Sequence, residues 1–153
     1  MTNINGYDVI PGADLSGVDL SGADFTGLNL SGINFSGANL SGAIFSNAIL
    51  EYTDFSSADL TGADFQNVII YDGYYGSDEN QPYPRQVDFT NADFTGANFP
   101  GVNLSQTNLT GVNFTDANLS NVNFPNLIQG GTIEGGTWVY MDYLPPYCCF
   151  ISR

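Results

Sequence analysis

From Leu15 to Ile70 a large apolar residue returns at every fifth position, and the pattern resumes from Phe89 to Phe124. A period of five fits neither the 3.6-residue turn of a helix nor the two-residue alternation of a strand. Call the large residue the centre. Two before it stands a small or branched apolar residue or Thr, with Ala at ten of the twenty units, as at Ala13, Ala23 and Ala38. One before it is mostly Asp or Asn. After it comes mostly Ser or Thr, then often Gly or Asn. The inner small residue and the centre share one side of a short extended segment. Continued alternation would next bury Gly17, Gly22 or Gly27, which have no side chain to bury. The chain therefore turns there, at residues that tolerate turn dihedrals. A straight piece and a corner, repeated in one sense, predict an all-β solenoid whose coils stack at about 4.8 Å.

Four corners would close a coil in about twenty residues. The third face then stacks Phe25, Phe45, Phe65, Phe99 and Leu119, with Ala23, Ala43, Ala63, Ala97 and Ala117 beside them. A near-pure Phe column with small partners suits a close-packed interior. Ile70 and Phe89 are 19 positions apart where five are due, so 14 residues are inserted. The expected organisation is one domain: an N-terminal cap over 1–12, coils one to three over 13–71, an inserted loop over 72–86, coils four and five over 87–126, and a degenerate sixth coil with a C-terminal cap over 127–153. Ile4, Tyr7, Val9 and Ile10 supply the first cap, because a solenoid end exposes core and strand edges. Ile128, Ile133 and Trp138 keep the five-residue step into the tail.

The unit seen in Ala23-Asp24-Phe25-Thr26-Gly27 and Ala117-Asn118-Leu119-Ser120-Asn121 resembles the pentapeptide-repeat family. The resemblance covers about residues 13–70 and 87–126. It implies a right-handed quadrilateral β-helix, here of five to six four-sided coils. Thr53 and Thr107 depart from the pattern at the inner small position. Ile44, Ile49 and Ile69 depart from it where Asp or Asn is expected.

Charge narrows the function. The 153 residues carry 16 Asp plus Glu against two Arg, with no Lys and no His, a formal net charge of −14. Such a surface repels nucleic acid and anionic membranes. The absence of His removes the usual base and metal ligand, and no nucleophile–base pair can be drawn around Ser or Cys. The expectation is no enzyme, no catalytic or metal residues and no cofactor. Cys148 and Cys149 are adjacent, which suits free thiols better than a disulfide framework. The start lacks a basic, apolar leader, so the protein reads as cytoplasmic. The N-x-S/T sequons, from Asn29 to Asn118, are by-products of the repeat.

Two surfaces are candidates for contact. The first is apolar: Ile44, Ile49 and Ile69 point outward with Tyr52 and Tyr71 near them, beside the loop's Tyr74, Tyr75, Tyr83 and Arg85. Exposed apolar clusters mark contacts, and loops on rigid scaffolds often carry recognition. The loop could instead fold back over the isoleucines. The second is acidic: Asp14, Asp19 and Asp24, then Asp54, Asp59 and Asp64, then Asp88 and Asp93. Stacked like charges cost about 0.8 kcal/mol at 5 Å in water, and the Asn-rich second coil interleaves them.

The leading reading is a rigid scaffold for an unidentified protein partner. The alternative is a DNA mimic acting on DNA gyrase, which the family resemblance implies because some of its members imitate duplex DNA. Relatives of that kind tend to be longer, whereas five or six coils span about 24–29 Å, or about 7–9 base pairs. The resemblance also allows a monomer or a dimer through the C-terminal end. Ice binding is a third reading, through the ladders Ser16, Ser36, Ser56, Thr90, Thr110 and Ser21, Ser41, Thr61, Thr95, Thr115.

Overall fold

At the described positions two residues after a centre the backbone enters the left-handed region, with φ between 56° and 71° from Gly17 to Asn121. Gly and Asn fill most of these sites because they reach positive φ at the least steric cost. Nearly all the described corners close with an N–H donated to the carbonyl three residues back, as Ala23 to Leu20 and Ala43 to Leu40. Positive φ at the third residue of such a turn is the type II pattern, which favours Pro before Gly. Pro11-Gly12 and Pro100-Gly101 fit it, with their turns closed by Ala13 to Ile10 and Val102 to Phe99.

The computed structural model describes residues 2–70, 87–105 and 107–124. Within them the fold is a β-helix built of strands and short parallel pairings, with no helix among the described residues. Residues pair in parallel with those twenty further along: Asp14 with Asn34, Asn34 with Asp54, and Ile49 with Ile69. Across the break the partners become Asp54 with Asp88 and Asp59 with Asp93, a register of 34. Beyond it, β3 (Val87–Asp88) pairs in parallel with β4 (Thr107–Asn108), at twenty again. Between turns the N–H···O distances run from 2.7 to 3.1 Å. The chain opens with an antiparallel hairpin, β1 (Thr2–Ile4) and β2 (Tyr7–Val9). Asn5 and Gly6 join them with φ of 52° and 90°, the primed turn that matches strand twist. Val9 is buried and Ile4 packs on the core, while Tyr7 and Ile10 are exposed.

Inside, the centres form one continuous core. Phe25, Phe45, Phe65 and Phe99 stack at centroid distances of 4.9, 4.7 and 4.6 Å. Phe35, Phe55 and Phe89 form a second column at 5.3 Å. The two columns meet edge to face, as Phe45 with Phe55 at 5.5 Å and 89°. Stacked and edge-on contacts are the favourable aromatic geometries, and here every buried Phe uses both or adjoins one that does. The two inner threonines are buried without an orphaned hydroxyl. Thr53 Oγ1 donates to the Leu30 carbonyl and Thr107 Oγ1 to that of Leu104.

Residues 72–86 and 127–153 lie outside the described residues, and with them Tyr71, Tyr74, Tyr75, Tyr83, Arg85, Ile128, Ile133, Trp138, Cys148 and Cys149.

Corner strain and corner crowding are separable. A Cβ at Gly42 meets nothing within 4 Å, so Gly42→Ala should cost only the left-handed penalty, about 1 kcal/mol. At Gly111 the new Cβ runs into Asn91 Oδ1, the free end of an exposed side chain, so once Asn91 turns aside Gly111→Ala should cost about as much. Urea midpoints of the two variants check the match, a lower midpoint for Gly111→Ala marking crowding that Asn91 does not relieve.

Candidate functional site

The residue before each centre points away from the core, and the pairing register sorts these residues into four columns. The first is Asp14, Asn34, Asp54, Asp88, Asn108 and the second Asp19, Asn39, Asp59, Asp93, Asn113. The third is Asp24, Ile44, Asp64, Asn98, Asn118. The fourth holds Asn29, Ile49 and Ile69, then Asn103 and Asn123. Carboxylates adjoin directly at Asp54–Asp88 and Asp59–Asp93. At three places an amide stands next to the acid and donates to it: Asn34 to Asp14, Asn98 to Asp64 and Asn113 to Asp93, at 2.9–3.2 Å.

These side chains also hold the fold, which the sequence reading missed. The Oδ1 of each accepts the N–H two residues on, from Ser16 to Asp14 at 3.1 Å through Ser120 to Asn118 at 3.2 Å. Such Asx turns pin the approach to each corner. Asn98 and Asn123 make none, because Pro100 and Pro125 have no N–H to give. The signal was present as Asp or Asn two before Ser or Thr. Many of the hydroxyls bend back too: Thr90 to Asp88, Thr95 to Asp93 and Thr115 to Asn113, each at 2.6 Å. Ser41, Thr90, Thr95, Thr110 and Thr115 of the ladders thus donate their hydroxyl protons within the repeat, among interrupting carboxylates.

Three positions abandon this scheme. Isoleucine at 44, 49 and 69 has no side-chain acceptor for the N–H two residues on. Ile44 and Ile69 are 39% and 42% exposed, and Ile49 is half-buried. Ile49 pairs in register with Ile69, and Ile44 lies one corner before Ile49. Tyr52, exposed, occupies the corner after Ile49 with φ of 59°, in the position that Gly12 and Gly32 fill in earlier coils. That role was readable from its place two after Leu50. Among the described residues no cluster of His, Cys, Asp or Glu is arranged to hold a metal.

The model of pentapeptide repeats matches this sequence in eight copies, over residues 11–42, 29–67 and 88–125. The chain belongs to the pentapeptide-repeat family. It is similar to solved members. A pentapeptide repeat protein of the Arabidopsis thaliana thylakoid lumen is 34% identical over 67% of this chain and 69% of its own, with a TM-score of 0.44. Rfr23, from the cyanobacterium Cyanothece, is 28% identical over 76% of this chain and 64% of its own, at 0.35. Trypsin-treated QnrB1, a plasmid-mediated fluoroquinolone resistance protein, is 20% identical over 83% of this chain and 84% of its own, at 0.42. No curated protein matches the chain.

In this pentapeptide-repeat protein the Asx bonds also set acidity. The Ser16 hydroxyl and then its N–H hold Asp14 below the ordinary 3.8, and the Thr26 hydroxyl and then its N–H do so for Asp24. For Asp19 the Ser21 N–H leads, followed by its hydroxyl. A depressed folded value means that the stability these carboxylates contribute is full above pH 3.8 and is lost as pH falls through the lowered values. Carboxyl-carbon NMR titration should place all three midpoints below 3.8. Ser16→Ala should return Asp14 further toward its ordinary value than Ser21→Ala returns Asp19, because the hydroxyl is the leading cause at Asp14 and the N–H at Asp19.

Proposed function

We propose that the protein is a non-enzymatic, rigid scaffold that binds another protein through the fourth column and its edges, centred on Ile49 and Ile69 with Ile44 and Tyr52. In this reading the β-helix is right-handed and four-sided, with five to six coils, acts in the cytoplasm, and needs no cofactor. It works as a monomer or as a dimer through its C-terminal end.

One observation carries the proposal. Every other described unit puts Asp or Asn before its centre, and the isoleucines alone give up the corner-pinning acceptor. They do so in one contiguous patch, leaving apolar surface in water. Folding gains nothing from that exchange, so selection for contact is the better account.

A second reading has its own support. The adjoining pairs Asp54–Asp88 and Asp59–Asp93 concentrate charge on the first two columns, as a DNA mimic for gyrase requires.

Paired variants separate the two. Partner capture should fall roughly tenfold with Ile49→Ser/Ile69→Ser. It should persist with Asp54→Asn/Asp88→Asn, which keeps the Asx acceptors. Quantitative pull-down with both variants, alongside gyrase supercoiling titrated with the protein at two salt concentrations, reads the outcome. Salt-sensitive gyrase inhibition that vanishes with the Asp variant and survives the Ile variant would replace the scaffold reading with the mimic.

A further inference from the structure

The third column alternates charge and apolar surface: Asp24 pairs with Ile44, and Ile44 with Asp64. At the strand-to-strand spacing the two carboxylates stand about 10 Å apart along the stack, with the isoleucine midway. Ser46 Oγ and Asn98 Nδ2 both donate to Asp64, at 2.9 Å each, and fix its place. One corner away the fourth column presents Ile49 and Ile69 with no acid before a centre, and Glu51 and Tyr52 stand at the next corner. The patch is thus an apolar strip with carboxylates on its borders.

We propose that its occupant is a basic amphipathic helix lying along the stacking axis. This rests on the scaffold reading and deepens it by naming the partner's chemistry. Two helical turns rise about 10.8 Å, so cations at i and i+7 reach Asp24 and Asp64 while apolar side chains at i+3 and i+4 meet Ile44 and Ile49. An extended strand laid the same way repeats its facing side chains every 6.6–6.8 Å or so, which matches neither the 4.8 Å step nor its double. A second copy of this chain is a poor occupant. It brings 16 acids and two arginines, and a two-fold axis through the Ile44 positions would set Asp24 of one copy on Asp64 of the other.

The test uses the full chain and two labelled synthetic helices of about 15 residues with leucine at helical spacing, one bordered by lysine and one by glutamate. Fluorescence anisotropy at low and physiological salt reads their affinities. The expected result is binding of the Leu/Lys helix alone. Asp24→Asn/Asp64→Asn should weaken it roughly three- to tenfold at low salt and less at high salt. Ile49→Ser/Ile69→Ser should weaken it roughly tenfold or more at both. Asp14→Asn/Asp54→Asn removes the same charge from the first column and should matter less than the Asp24/Asp64 pair. Equal loss from both Asp pairs overturns the assignment of Asp24 and Asp64. Equal binding of the Leu/Glu helix, abolished by the Ile variant, overturns the basic partner while leaving the apolar surface standing. Leu/Lys binding indifferent to the Ile variant overturns the surface and the scaffold reading with it. Far-UV circular dichroism of each variant verifies that the β-helix is retained.

Discussion

The left-handed corner is the constraint on which the rest of the structure depends, because it lets every N–H of a five-residue unit find an acceptor. In the unit from Ala38 to Gly42, Ala38 donates to Phe35 to close the preceding corner, Asn39 donates back to Val18, and Leu40 donates forward to Asp59. Ser41 donates to the Asn39 side chain, and Gly42 donates forward to Thr61. No N–H of the unit is left over, as a tightly wound backbone demands. The core follows from the same turn. Bringing the chain back in register after twenty residues sets each Phe over another, so side-chain stacking and backbone pairing reinforce one another.

Much of this was legible in the sequence. The five-residue step located the corners, Gly at two after the centre marked residues that tolerate a turn, and four corners per coil, with the Phe column in support, predicted the twenty-residue register. The 14-residue insertion set which residue of coil three meets which of coil four, as in Asp54 with Asp88. What escaped was the double duty of Asp and Asn. Period counting treats an outward polar residue as solvated surface, whereas the Asx bond is a local contact that has no period of its own. Thr53 and Thr107 looked like departures for a similar reason. An inner hydroxyl is costly only when unpartnered, and each finds a carbonyl.

The Asx role changes what the acidic columns mean. Asp and Asn serve the corner equally, since either offers Oδ1 to the N–H two residues on. The fold therefore requires one of the two and is indifferent to the charge. The distribution of charge is then free to answer to something else. It runs along the first three columns and is absent before the centres of the fourth, where the isoleucines lie.

Two unlike violations of the repeat's logic fall side by side there. Isoleucine gives up an acceptor that the other described units keep, and Tyr52 takes a left-handed conformation that costs a bulky L-residue about 1–2 kcal/mol. Neither improves packing, since Ile69 and Tyr52 remain exposed. A random drift of surface residues would scatter such costs among the corners. Here Tyr52 stands at the corner that follows Ile49, in the coil that also holds Ile44, and Ile69 is the in-register neighbour of Ile49. Strain and surrendered side-chain acceptors that gather at one place, against the preference of the fold, are what the proposed contact surface would account for.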